Sequence, residues 1–210
     1  MPASLPKPLN DLNDLNTKTE ILLDTDPRCA ELETMGYTLV GESWGARLHL
    51  VEERERYSTA VRKVIESGIS IGELGIESAE EVLKLETTNN PDYPRTPANM
   101  RILPTLEIVR DLWTSESRIF GAISNGVLVG VLATSQQGEM VELDFSSILK
   151  EFRGQGIGKA LASSAIISWF RLGIRTFGTG GAMVNEASLG TVTSLGFVVV
   201  ERWRSYQPPL

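Results

Sequence analysis

The chain has 210 residues, 41% apolar and 22% charged, and its 27 acids against 20 bases give a formal charge of −7. That composition suits a folded domain with an appendage and excludes wholesale disorder, while the acidic balance repels phosphate backbones, so no nucleic-acid partner is expected. No run approaches the roughly 18 apolar residues of a membrane span, Pro2, Pro6 and Pro8 interrupt any signal-peptide segment, and the single cysteine, Cys29, has no disulfide partner; a cytoplasmic protein without membrane contact is expected.

In chain order, residues 11–34 hold seven acids against Lys18 and Arg28 and read on composition as a solvated arm. Residues 37–50 are rich in strand formers, and an amphipathic helix follows over 51–67, with Val51, Tyr57, Val61, Val64 and Ile65 on its apolar side and Gly68 at its end. His49, the only histidine, lies in that strand-like stretch and reads as structural. One histidine and one cysteine leave too few ligands for a usual zinc site, so no metal is expected, and any Cys-His or Ser-His-Asp device would have to use His49.

Residues 69–74 read as a strand, and Ser78 opens a helix with a Ser/Glu capping pattern. Pro91, Pro94, Pro97 and Pro104 forbid a continuous helix across 88–104, after which 106–113 resumes helical spacing. Asn125-Gly126 between apolar runs predicts a type I′ hairpin over 119–133. A third strand over 140–149 runs into a glycine-rich turn and a long apolar helix, 156–172. A strand (174–184), a short helix (186–195) and a last strand (197–206) complete the order β-α-α-β-β-β-α-β-α-β, which implies an α/β mixed sheet with helices on both faces.

The turn between strand and long helix reads Arg153-Gly154-Gln155-Gly156-Ile157-Gly158-Lys159. Glycines admit a ligand close to the backbone, and the unpaired N–H groups of a helix start form an anion site, here suited to phosphate or pyrophosphate. A Walker A loop would need Gly six residues before Lys159 and Ser or Thr after it, where the chain has Arg153 and Ala160. A dinucleotide fingerprint fails too, since its third glycine falls on Lys159 or Leu161. What remains is Arg-x-x-Gly-x-Gly.

Placed between the third antiparallel strand and a long helix, that motif resembles the coenzyme A pyrophosphate loop of the GNAT N-acetyltransferase superfamily. The resemblance extends over about 68–206, through the hairpin, the motif strand and helix, Asn185 and Leu195-Gly196-Phe197. It implies the GNAT fold, with a central, mostly antiparallel mixed sheet and helices on both faces. It also implies acetyl-CoA as cosubstrate, no metal, and transfer of acetyl to a primary amine of a small molecule or exposed protein amine by direct attack. The alternative is a non-catalytic coenzyme A binding or sensing module.

By resemblance, the motif strand and its successor splay apart, and the pantetheine arm pairs with the main chain at about 146–150. Ser147, Ile148 and Leu149, the loop from Arg153 to Lys159 (Arg153, Gly154, Gln155, Gly156, Ile157, Gly158, Lys159) and Asn185 are then the cofactor-binding residues, with the N–H near Ile148 stabilising the oxyanion. Strand alternation places Glu142, Asp144, Ser146 and Ile148 on one face; Glu142 stands six residues before Ile148, where the resemblance implies a glutamate base, so Glu142, and after it Asp144, are the expected proton acceptors. Relatives carry a tyrosine acid seven residues after the asparagine that opens the fourth helix; counting from Asn185 gives Val192, which leaves Tyr206 as a substitute. Glu86, Asp92, Tyr93 and Met100 are expected around the acceptor. Asn-Asn-Pro-Asp-Tyr-Pro-Arg-Thr-Pro and Phe120-Gly-Ala through Gly126-Val-Leu-Val-Gly look like the mycothiol-synthase-like branch.

An offset of 160 residues places Met35-Gly36-Tyr37 on Leu195-Gly196-Phe197, and one inserted residue aligns Glu42 and Trp44 with Glu201 and Trp203. On that echo the first 50 residues resemble the closing strand-helix-strand of a second, truncated GNAT copy. The expected division is 1–67, that remnant with its connecting helix, and 68–210, the acetyltransferase domain. Because Pro208 and Pro209 end the chain after a single closing strand, the strand at 37–50 is expected to fill the vacant sheet position, within the chain or by exchange in a homodimer.

Overall fold

The computed structural model describes residues 19–93 and 103–209. One eight-stranded sheet is built from β1 (Glu20–Leu23), β2 (Thr38–His49), β3 (Ile69–Leu74), β4 (Ser117–Ser124), β5 (Val127–Gln137), β6 (Met140–Ile148), β7 (Thr176–Ala182) and β8 (Val198–Gln207), in the spatial order β1-β8-β2-β7-β6-β5-β4-β3. All its pairings are antiparallel except β6 with β7. The helices are α1 (Arg28–Thr34), α2 (Glu55–Glu66), α3 (Ala79–Asn89), α4 (Leu106–Arg110), α5 (Ile157–Arg171) and α6 (Glu186–Leu195). The mixed α/β sheet expected from the sequence is present, and Pro94, Pro97 and Met100 lie outside the described residues.

Local chemistry accounts for the boundaries. Asn125 and Gly126 both have positive φ, 49° and 77°, as a type I′ turn requires, and β4 and β5 meet across them. Ser78 departs from expectation: it closes a 3₁₀ turn, Ile76–Ser78, that runs into α3, and its hydroxyl caps nothing. A cap needs extended backbone at that residue, and Ser78 has φ −83° and ψ 5°.

The core has two sides. On one, Ile157, Leu161, Ile166 and Trp169 of α5, Tyr57 and Val64 of α2 and Leu195 of α6 pack against Leu48, Phe120, Leu132, Val141 and Phe177 of the sheet. On the other, Ala79, Val82 and Leu85 of α3 and Val109 of α4 cover Ile119, Leu128, Val131 and Ala133. Both sides bury apolar area at about 25 cal/mol per Å², so the sheet is held where the site needs it to be rigid.

The strand at 37–50 lies between β7 and β8 of its own chain. Residues 20–34, read as a solvated arm, are instead β1 and α1. Leu22 and Cys29 pack on Tyr206, all three buried, and β1 pairs with β8.

A local two-fold relates β1-α1-β2 to β7-α6-β8. Exchanging 160 between the strands turns the pair Leu39↔Tyr206 into Ala46↔Val199, and Glu42↔Arg204 into Trp44↔Arg202, with Ser43↔Trp203 on the axis. Each strand carries a bulge at the equivalent place, Val40 and Val200. Both helices end in the same Schellman turn: Tyr37 donates to the Leu32 carbonyl as Phe197 does to that of Val192, around Gly36 and Gly196 at φ +84° and +99°. The inserted residue inferred from the sequence is absent from this strand pair. Matching Glu42 with Glu201 by residue type overlooked that both strands bulge together.

Candidate active site

The parallel β6–β7 pairing lasts only from Met140↔Thr176 to Leu143↔Thr179. Beyond it the strands diverge, and a cleft of about 720 Å³ opens between them, bounded by the α5 start, by α6 and by the end of α3. The splay is held at its vertex by the Thr179 hydroxyl, which donates to the Leu143 carbonyl at 3.2 Å.

Facing this opening, β6 presents a free strand edge. Ile148 lies opposite Gly130, and Leu149 N–H donates to the Val129 carbonyl at 2.9 Å. That is the signature of a non-hydrogen-bonded pair, so the N–H and C=O of Ile148 point away from β5, toward the cleft. Ser146 repeats the arrangement two residues earlier. The Ile148 carbonyl accepts from Arg153 Nε at 2.9 Å, which leaves the N–H directed at whatever occupies the splay.

At the mouth of the cleft stands α5. Gly156 is its N-cap with φ 82°, Gly154 has φ +76° with open space where a Cβ would stand, and the first helical bond is Ala160 N–H to the Gly156 carbonyl. The N–H groups of Ile157, Gly158 and Lys159 therefore project from the helix end without a helical partner, as an anion site requires. Arg153, Gly154, Gly156, Ile157, Gly158, Lys159 and Asn185 line the cleft with Ser147 and Ile148; Gln155 and Leu149 are not among the lining residues. Asn185 caps α6, accepting from Ser188 N–H. Arg153 is already engaged, by Asp92 at 2.9 Å and by Asn89 Oδ1 at 3.2 Å, so the backbone rather than its guanidinium is what the loop offers an anion.

The face assignment of the acids needs correction. Ala133 pairs with Phe145 and Thr134 with Leu143, so Asp144 is the extra residue of a β-bulge, and strict alternation along β6 fails there. Glu142, Phe145 and Ser147 end on the α3 face, whereas Leu143 and Ile148 face α5. Asp144, re-aimed by the bulge, lines the cleft and accepts from Ser135 Oγ at 3.0 Å. Asp144 as a residue is exposed, but partial desolvation of its carboxyl by the cleft walls pushes its pKa up to about 6, the Ser135 bond opposing and the Glu142 charge adding. Glu142 is only 3% exposed and is not among the lining residues. Burial raises its pKa against the pull of Arg47, whose Nη1 is 3.5 Å away.

Tyr206 is not brought to the site. It is buried beside Cys29, donates to Glu33 Oε1 at 2.8 Å, and its pKa is pushed up to about 12, first by burial and then by that carboxylate. Tyr93 is the tyrosine that lines the cleft; its hydroxyl donates to Ser147 Oγ at 2.9 Å and lies 3.3 Å from Glu86 Oε1. Asn89 Nδ2 donates to the same Ser147 oxygen at 2.8 Å. The pairing of Asn89 with Ser147 is not expected from the sequence, whose one signal for it is an asparagine closing a helix just before a Pro-Asp-Tyr turn. Val192, at the position where a tyrosine was sought, is 6% exposed on the cleft wall.

A bulky residue at Gly156 would combine an unfavourable left-handed conformation, costing about 1–2 kcal/mol, with obstruction of the ligand's approach. Gly156→Val is expected to weaken binding of the acetyl-CoA that the sequence resemblance implies at least tenfold by calorimetry, about 1.4 kcal/mol, while melting stays cooperative. Unchanged affinity would remove the loop from the site.

Residues 80–197, just over half of the chain, match the acetyltransferase (GNAT) family. No curated protein matches the sequence. Among solved structures, a GCN5-related N-acetyltransferase from Sphaerobacter thermophilus is similar with a TM-score of 0.67 at 15% identity, over 90% of this chain and 58% of that one. A tandem GNAT protein from the clavulanic acid biosynthesis pathway gives 0.61 at 17%, over 90% and 62%. The ribosomal-protein-S18-alanine N-acetyltransferase from Escherichia coli gives 0.54 at 16%, over 67% and 93%. The chain thus spans less than two thirds of the length of the first two, and at these identities the likeness is one of fold. Since the matched residues run from α3 through the splayed strands to the end of α6, this chain belongs to the acetyltransferase (GNAT) family, whose members are generally acetyl-CoA-dependent N-acetyltransferases.

Proposed function

We propose that the protein transfers the acetyl group of acetyl-CoA to a primary amine, on a small molecule or an exposed protein amine, within the cleft between β6 and β7. The observation that carries this reading is the free edge of β6 ending at the α5 start: backbone donors stand ready for a pantetheine arm and, beyond it, for a pyrophosphate. Acetyl-CoA supplies the thioester. The chain's contributions are the N–H of Ile148, aimed where negative charge develops on the thioester oxygen, and Asp144, whose pKa near 6 leaves it largely ionised at neutral pH and able to take the proton the amine loses. The new bond is amine nitrogen to acetyl carbon, the carbon–sulfur bond breaks, and the thiolate needs a proton.

Tyr93 is the donor we assign for that proton, in place of Tyr206, because its hydroxyl reaches the cleft face of β6 at Ser147. Tyr93→Phe is expected to lower kcat on the order of 10²-fold with acetyl-CoA affinity unchanged; an unaltered kcat would leave the proton to water.

Val192 favours a second reading, since the residue type seen there in many acetylating relatives is missing: a coenzyme A binding or sensing module. Thiol release from acetyl-CoA across amines, polyamines, amino acids and peptides separates the two. Amine-dependent release supports transfer; tight binding with release for none supports the module.

We also infer that the acetyltransferase domain at 68–210 is of the mycothiol-synthase-like branch, and that 1–67 is the remnant of a second GNAT copy, in its first 50 residues, with a connecting helix. The two-fold register of β2 and β8, with its paired bulges and Schellman turns, supports this. A cytoplasmic setting and a soluble form are part of the same reading; no helix among the described residues is long and apolar enough to cross a membrane.

A further inference from the structure

We propose that Arg47, carried to the site by β2 of the N-terminal segment, is a positioning residue for Asp144: it pins the Glu142 carboxylate across β7 and holds it there as fixed negative charge behind the reacting acid. This rests on the reading of Asp144 as the proton acceptor.

The contact is built across four strands. Gly178 of β7 has no side chain, and a Cβ there would overlap the Glu142 carboxylate, so the glycine makes room for the glutamate to lie flat toward β2. Arg47 meets it with Nη1 3.5 Å from Oε1. Its other nitrogen, Nη2, is 3.4 Å from Glu201 Oε1 on β8, and Glu201 lies over Gly45, where a Cβ would stand 3.0 Å from its Cγ. Two glutamates thus lie over two glycines with one arginine between them. Neither glycine is at a turn, so the space they leave is their evident use.

Three influences act on Glu142: burial and the Glu201 charge favour its neutral form, and Arg47 alone favours the carboxylate. Without Arg47, Glu142 takes up a proton at higher pH, and Asp144 loses the like charge that opposes its own ionisation. Of the other groups around the cleft, Lys159 lines it at the α5 start, and the rest belong to other contacts. Ser135 bonds Asp144 itself, Asp92 is paired with Arg153, Tyr93 bonds Ser147 and Glu86, and His49 is further along β2 beside Thr176.

The test is a ¹³C NMR titration of the Asp144 and Glu142 side-chain carboxyls in the intact chain, beside the pH dependence of kcat/KM. In Arg47→Gln the Asp144 midpoint is expected to fall by about half a unit or more and that of Glu142 to rise, with Arg47→Lys restoring both. Glu142→Gln should lower the Asp144 midpoint similarly, and adding Arg47→Gln to it should change nothing further. If Arg47→Gln does not melt cooperatively, the Glu142→Gln background still carries the comparison. An Asp144 midpoint unmoved by Arg47→Gln, or moved equally with and without Glu142, overturns the proposal. Midpoints that shift as expected while the kcat/KM profile stays put uphold the role of Arg47 and overturn Asp144 as the acceptor.

Discussion

Deletion of residues 1–50 is expected to give a product that is insoluble or melts without a cooperative transition. The deletion removes β1, α1 and β2, and β2 is the strand between β7 and β8. Without these strands β8 has no ladder partner and β7 keeps only its short pairing with β6, and an open position of backbone donors is a template for aggregation. Buried Leu22, Trp44, Leu48 and Leu50 go with it, each worth about 1.5–3 kcal/mol, together comparable to the whole stability of a typical domain, about 5–15 kcal/mol. Circular dichroism melts and light scattering on the truncated chain are the check. A monodisperse product with a sharp melt and intact acetyl-CoA affinity would mean that the domain closes without its N-terminal strand.

The other large effect is expected at Asp144. Asp144→Asn should lower kcat/KM at neutral pH by about 10²- to 10⁴-fold with acetyl-CoA binding retained, and should abolish the rise in activity expected with a midpoint near pH 6. The same substitution has a signed effect on stability. With a folded pKa of about 6 above the ordinary 3.8, the native state binds the proton more tightly than the unfolded chain, so the penalty is absent below about pH 4 and complete above about pH 6. Because Asp144 is exposed and solvent screens much of this penalty, Asp144→Asn is expected to raise the melting temperature only slightly at pH 8 and to leave it unchanged at pH 4. Full activity in this variant would return the role to another group.

Much of this site was legible because it is local. The Asn125-Gly126 hairpin and the spacing of Gly154, Gly156 and Gly158 before an apolar helix are short-range patterns with one physical meaning each. The bulge at Asp144 was not legible, because a bulge arises from the register of two strands and leaves no mark in one; alternation therefore set Glu142 on the same face as Asp144 and Ile148. Tyr93 was seen as acceptor-pocket material, but its approach to Ser147 depends on how α3 packs across β6. The contact of Arg47 with Glu142 joins residues distant in sequence through Gly178, and a lone glycine in a strand does not say which side chain will fill its space. The insertion of β2 could be argued from a missing strand, since an unfilled position in a sheet is itself a physical demand.

The most direct measurement is a crystal structure of the protein with acetyl-CoA. The pyrophosphate is expected on the N–H groups of Ile157, Gly158 and Lys159. The thioester oxygen should lie about 2.7–3.1 Å from the Ile148 nitrogen, with the acetyl carbon open to an amine on the side of Asp144 and Tyr93. A thioester bound away from the β6 edge, or turned so that Asp144 lies behind the sulfur and out of reach of any attacking amine, would contradict it.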